Sequence, residues 1–311
     1  MTIKRLNLSV KNVKISSEKK ANEINLFDLG TLIHFETHTW QARKRLPKEI
    51  SKQLTPEAEG DWTTVNKSLI NKKHLSDINS IISDARLFVW NNANPFPIKG
   101  IHFIPNTRVD IVKQKLNECI IKLDKEIEKF TEEYEQYILE AEKILSPYGL
   151  FNPLDYPMDI KKRFSITYRF FELIIPSKLT DEIYKEEQQK FIDLANETRN
   201  MGILALKEGF ADIVTHLTDT LTGKLDGESK RVRQEAINKF EEFWEIFQSK
   251  NIFKDNELEK IIKDAKEIME GVDKDALKDK ELVKLVNDEM LKIKKEVDSS
   301  IVSFKRKISF I

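Results

Sequence analysis

Within residues 34–46, HFETHTWQARKRL, the chain places two histidines, a glutamate, a tryptophan and three consecutive cations. Two kinds of chemistry are open to that set. His34, Glu36 and His38 alternate, so on an extended strand they share one face, and imidazole with carboxylate makes a competent ligand set for a zinc-like ion. A metal site also draws a further ligand or water and an ordered outer shell, so the plainer reading is preferred: a strand whose polar face meets solvent or a partner. Trp40, Arg43, Lys44 and Arg45 could instead grip single-stranded nucleic acid, the indole stacking on a base and the cations neutralising phosphates. Three consecutive cations cannot all face one phosphate track. A structural anchor, with Trp40 packed and Arg43 paired to a carboxylate, therefore takes precedence, and docking of a partner protein is a third use of the same residues.

Elsewhere little is chemically loaded. Asp155 and Asp159 lie close together, but no base or nucleophile is placed with them, so an acid–base pair is unsupported. Phosphate-loop, dinucleotide, serine-hydrolase and zincin patterns are absent, and neither a cofactor nor an enzymatic activity is expected. The single cysteine, Cys119, falls on an apolar helical stripe, which points to core packing and a reducing compartment.

The elements that would position these residues follow from periodicity. LNLSVKNVKI and TLIHFETHTW alternate as strands, with Ile33 and Phe35 turned to the core and His34, Glu36 and His38 away from it. Residues 47–62 read as a loop with a short helical turn. TTVNKSLI reads as a helix start capped by Asn66, and KKHLSDINSIISDARLFVW as helix. The prolines and glycine of NNANPFPIKGIHFIPN predict a structured loop. From Thr107 to Leu145 apolar residues recur at steps of three and four with no Gly or Pro, predicting one helix of roughly 60 Å with a narrow apolar seam. RFSITYRFFELIIP predicts a strand over 163–175 that joins the N-terminal strands. A second long helix is expected over 180–222, weakened at Met201-Gly202 and at Gly209. A third, over roughly 228–249, stacks Phe240, Phe243, Trp244 and Phe247. Two charged helices with thin seams follow.

The expected fold is α+β, a small antiparallel sheet attached to a long-helix bundle or coiled-coil hairpin. Residues 1–106, with the 163–175 strand added to their sheet, form a mixed head, 107–253 a long-helix bundle, and 254–311 peripheral helices. The head is mildly basic, with 17 Lys/Arg against 11 Asp/Glu in residues 1–111, and the remainder carries 35 against 41. That imbalance is too weak to establish nucleic-acid binding. No stretch approaches the roughly 20 apolar residues of a bilayer span. MTIKRLNLSV lacks a signal-peptide pattern, so a soluble cytoplasmic protein without a membrane partner is expected.

The order of several segments resembles a family of phage and prophage proteins grouped as a domain of unknown function. These segments are a strand leading into TWQARKRL, then VNKSLI, then DARLFVWNNANPFPIKGIHFIPN, a long helix, LFNPLDYP and RFSI. The likeness covers about residues 5–260 and rests on Trp40, Arg43, Val65, Asn66, Lys67, Arg86, Pro95, Gly100, Phe151, Asn152, Pro153, Tyr156 and Pro157. Many members of that family carry Gly where this chain has Ala42, and residues 260–311 have no counterpart in it. Such genes often lie near MoxR-type AAA+ ATPases and von Willebrand A-domain proteins. The resemblance implies a phage-type genome and no established activity. The thin seams and the absence of catalytic constellations point to a non-enzymatic, phage-type accessory protein acting through itself (as a homo-oligomer) or another protein, such as an ATPase it serves as adaptor. Single-stranded nucleic acid is the alternative partner, and a metal-dependent enzyme built on His34, Glu36 and His38 the second alternative.

Overall fold

The computed structural model describes residues 26–54, 64–222, 230–272 and 279–309. The strand expected over LNLSVKNVKI lies outside them. A short helix α1 (Leu26–Leu29) leads into β1 (Gly30–His38). The ribbon strands β2 (Arg43–Arg45) and β3 (Asn66–Ser68) follow, separated by helix α2 (Lys48–Leu54). Helix α3 (Ser76–Asn92), β4 (Asn94–Pro95), β5 (Ile101–Pro105), helix α4 (Val109–Leu145) and β6 (Ser165–Phe171) come next. The fold is α+β: one sheet runs antiparallel in the order β4-β5-β1-β6, and β2 and β3 pair separately. β6 is the strand expected over 163–175, and it pairs with β1 from Leu32↔Phe171 to His38↔Ser165.

β4 and β5 fall where only a loop was expected. Pro97 and Gly100 belong to the turn between them, where Gly100 takes φ 80°, a left-handed conformation that suits glycine, while Pro95 and Pro105 lie within β4 and β5. IHFIP is then just long enough to pair with β1 from Gly30↔Pro105 to His34↔Ile101.

Strand alternation gives the sheet two buried faces. Ile33, Ile104 and Ile166 pack on α3 and α4 together with Ile82, Val89, Leu116, Cys119 and Leu123. Leu32 and Phe103 face the opposite way, onto Leu26, Phe96, Ile203 and Phe253. A second helical body holds α5 (Asp181–Thr222), α6 (Lys230–Lys250), α7 (Asn256–Met269) and α8 (Lys280–Ser309). Residues 107–253, expected as one bundle, are thus shared between two packing units, α4 lying with α3 and α5 with α6 and α8. Residues 254–311, expected to be peripheral, supply fully buried Leu258, Ile262, Ala265, Met290 and Val297. A thin seam is enough when four helices each turn one stripe inward. No helix among the described residues is long and apolar enough to cross a membrane.

α5 runs unbroken through Gly202, which answers to packing rather than to a helix break. A Cβ there would lie 2.7 Å from the Phe253 ring. Gly202→Ala would gain about 1 kcal/mol of helix propensity and lose about 1–3 kcal/mol to overpacking. A net destabilisation of about 1 kcal/mol is expected in urea unfolding, relieved by adding Phe253→Leu; a stabilised Gly202→Ala chain would contradict the close approach.

The carboxyl end of α3 is closed by cations. Lys250 Nζ lies 3.4 Å from Trp90 O, Asn92 Nδ2 donates to Phe88 O at 2.7 Å, and Arg108 Nε donates to Asn92 Oδ1 at 2.8 Å. The exposed carbonyls of a helix end attract such groups. Burial, with the Arg108 charge close by, pushes the Lys250 ammonium down to about 8. Burial also lowers His102, helped by the charge of Lys250. Between pH 8 and the usual 10.5 of lysine the unfolded chain holds a proton that the folded chain has released, so stability from this group rises with pH across that window. Tyr134, Tyr137 and Tyr156, pushed up to about 12 chiefly by burial, act in the opposite sense above pH 10. The urea midpoint is therefore expected to climb from pH 8 toward 10, and Lys250→Met to remove the climb; an identical slope in the variant would refute the assignment.

Candidate functional site

Three segments, TWQARKRL, VNKSLI and LFNPLDYP, meet at the carboxyl end of α4. β2 and β3 pair as Arg43↔Ser68, Lys44↔Lys67 and Arg45↔Asn66. Leu46 N donating to Val65 O at 2.9 Å and Leu69 N donating to Ala42 O at 2.7 Å extend the ribbon at its two ends. This register corrects the reading of VNKSLI as a helix start. Asn66 lies in a strand, and the side chain that caps the following helical turn is Asn71, which accepts from Lys73 N at 3.1 Å.

Lys44 and Lys67 face each other directly across the ribbon, a pairing that repels. Asp155, from the LFNPLDYP turn, resolves it. Its Oδ2 lies 2.7 Å from Lys67 Nζ and its Oδ1 3.7 Å from Lys44 Nζ. The Lys67 and Asp155 side chains are each only 9% exposed, and Lys67 Nζ also donates to Leu150 O. Tyr156 OH donates to Leu69 O at 2.8 Å, and its ring lies 5.6 Å from Phe151. Burial first, then the Asp155 charge, pushes that phenol up to about 12. Asn152 Oδ1 accepts from Leu154 N at 3.0 Å, and Gly149 takes φ 65° where α4 ends. The turn over 146–159 is thereby fixed at each corner, three prolines adding to the restraint.

A rigid turn would ordinarily bury its apolar residues, but this one presents them. Tyr148 is 76% exposed, Leu154 90% and Met158 fully so, with Ile144 on the last turn of α4 also open. Beside them an apolar groove of about 470 Å³ runs between β3 and α4, lined by Leu46, Leu69, Ala141, Ile144, Leu145 and Leu150. Sequence reasoning did not reach the surface that this turn displays. The available signal was Tyr148, Leu154 and Met158, whose spacing suits neither a helical nor a strand core.

The residues singled out from the sequence divide. Trp40 is half-buried and meets Tyr134 edge-on, with centroids 5.9 Å apart, so its ring takes part in packing. Lys44 turns toward Asp155. Arg43 and Arg45 sit on the opposite side of β2, exposed, Arg43 Nη2 donating to Gln41 Oε1 at 3.0 Å. Among the described residues Arg43 pairs with no carboxylate, and the anchoring ion pair of this region belongs to Lys67. His34, Glu36 and His38 do share the outward face, where the cover over Leu32 runs out. They do not gather. Residues four apart on a strand are separated by about 13 Å, and only His38 and Glu36 approach, at 3.4 Å. Among the described residues no group of three or more His, Cys, Asp or Glu could hold a metal ion, which corrects the convergence considered for these three.

Ala42 sits at the mouth of the ribbon at φ 48° and is buried. The left-handed region strains any residue with a Cβ by about 1–2 kcal/mol, a strain that glycine would not carry. Ala42→Gly is expected to stabilise the fold by up to about 1 kcal/mol after the flexibility of glycine in the unfolded chain is offset. Ala42→Val is expected to destabilise it by about 2 kcal/mol or more. A neutral valine variant in urea unfolding would remove the strain argument. Compared with protein-family models, with curated proteins and with solved structures, the chain matches none.

Proposed function

We propose that the protein is a non-catalytic, phage-type accessory protein that acts by binding protein surfaces, itself or a partner such as an AAA+ ATPase, in the cytoplasm of an infected or prophage-carrying bacterium. The observation that carries the reading is the rigid turn that holds Tyr148, Leu154 and Met158 in water. Exposed apolar side chains on a preorganised backbone lose little entropy on binding, the property that makes an interface anchor. The charged groups around them are engaged in holding the turn rather than arranged about a cleft. Leu154→Ser with Met158→Ser tests it, because substitutions at such exposed positions leave the fold within about 0.5 kcal/mol. Wild-type chain at micromolar concentration should self-associate in sedimentation, or retain a partner from host cells, and the variant should do neither. A strictly monomeric wild type whose captured proteins are the same as the variant's would end the proposal.

A second reading, single-stranded nucleic acid on the basic head, keeps Arg43 and Arg45, which share one exposed face of β2. A shift with oligo-dT at low salt that disappears in Arg43→Ala/Arg45→Ala would favour it; no shift at low salt would exclude it.

A further inference from the structure

α6 and α7 follow each other through residues 251–255, yet they do not close on one another. α6 packs chiefly on α5, and α7 chiefly on α8. Between them lies a groove of about 730 Å³. Ile237, Phe240 and Met269 are buried at its floor, and Trp244 lies half-exposed along it. The indole is held in place, with Phe247 at 6.3 Å between centroids and Lys266 Nζ 4.6 Å from its ring centre. The rim is acidic. Among the described residues Lys263 and Lys266 are its cations, and both are engaged, Lys263 beside Glu267 at 4.0 Å and Lys266 over Trp244. Glu241, Glu245, Glu259 and Glu270 remain as an exposed surplus of negative charge.

We propose that this groove is a docking site for an amphipathic helix of a partner protein, one with an apolar stripe flanked by lysine or arginine. An apolar trough between two helices that each pack elsewhere is the space a third helix fills, its stripe reaching Trp244 and Phe240. The carboxylates on the rim select basic flanks and repel acidic ones. The site stands apart from the turn at Tyr148, Leu154 and Met158. α6 meets the carboxyl end of α3 through Lys250 and Trp90, whereas that turn lies toward the amino end of α3, about 25 Å away along a 17-residue helix. The two surfaces can therefore fail separately.

The probe is an amphipathic Leu/Lys peptide of about 18 residues, five helical turns, with its Leu/Glu counterpart as comparison, titrated calorimetrically into the full chain. The Leu/Lys peptide is expected to bind and the Leu/Glu peptide not. Glu241→Lys/Glu245→Lys, at exposed positions, should weaken the Leu/Lys peptide by roughly tenfold or more. Glu128→Lys/Glu132→Lys, the same charge change on the exposed side of α4, should leave it unaltered, as should Leu154→Ser/Met158→Ser. Circular dichroism checks that each variant is folded. Absent binding, equal weakening by the α4 pair, or equal affinity for the acidic peptide would overturn the proposal. So would a wild-type dimer dissolved by Glu241→Lys/Glu245→Lys, since the occupant would then be a second copy of this chain.

Discussion

Lys207→Met is expected to lower the free energy of unfolding by about 3 kcal/mol or more, the usual consequence of stranding one member of a buried ion pair. Lys207 projects from α5 into the second helical body and is wholly buried. Its Nζ lies 2.9 Å from Asp255 Oδ2 and 3.0 Å from Glu257 Oε2, and it donates to Ser300 Oγ on α8. One ammonium thus joins three helices. Asp255 is in turn the cap of α7, its Oδ1 accepting from Leu258 N at 3.1 Å. Among the described residues its Oδ2 accepts no hydrogen bond, so the lysine's charge is what compensates that buried oxygen. Glu257 is 60% exposed and can turn to water, so it contributes little. Its carboxyl is held below the usual range by hydrogen bonds from Lys207 and then Ser300, which marks the direction of the interaction.

The double variant Lys207→Met/Asp255→Asn separates the charge from the packing. Asparagine still caps a helix and carries no charge to strand. The pair should therefore lose less than the sum of the two single changes, with a coupling of about 1 kcal/mol or more in urea unfolding. Strict additivity would show that Lys207 acts only through its methylene stem.

Lys207 also marks where sequence reading stops. The bounds of α4, α5 and α6 were legible to within a few residues, because a stripe at steps of three and four is a local property. In ILALKEGF a lysine beside leucines gives no local reason to be buried; its partners lie 50 and 93 positions away. The thin seams of α7 and α8 suggested a periphery for the same reason, since whether a narrow stripe is enough depends on how many other helices meet it. Asn66 before Leu69 and Ile70 looks like a cap, but pairing with Arg43–Arg45 draws it into a strand, and Asn71 takes the capping role. The outward face of His34, Glu36 and His38 was legible from alternation. That alternation on a straight strand keeps them apart could have been read as well. The Lys67–Asp155 pair and the exposed turn it supports were not legible, because neither residue is remarkable until the ribbon register sets two lysines against each other.

That register makes Asp155→Ala the second severe change. Removing the carboxylate leaves Lys44 and Lys67 opposed across β2 and β3, with Lys67 only 9% exposed and keeping Leu150 O as its acceptor. An uncompensated buried ammonium costs about 3 kcal/mol, and the strain falls on the contacts that fix the 146–159 turn. Lys67→Met/Asp155→Leu removes both charges and fills similar volume, so it should recover most of that loss. If the turn is the binding surface, its rigidity is what the ion pair supplies. Asp155→Ala should then open residues 146–159 to limited proteolysis and abolish partner retention even at a temperature where circular dichroism shows the helices intact. The double variant should restore both. A folded Asp155→Ala chain that keeps its turn protected and still retains partners would mean that Pro147, Pro153, Pro157 and the Asn152 cap hold the surface without the buried pair, and that the conformation of the turn owes nothing to the charge on which the two strands meet.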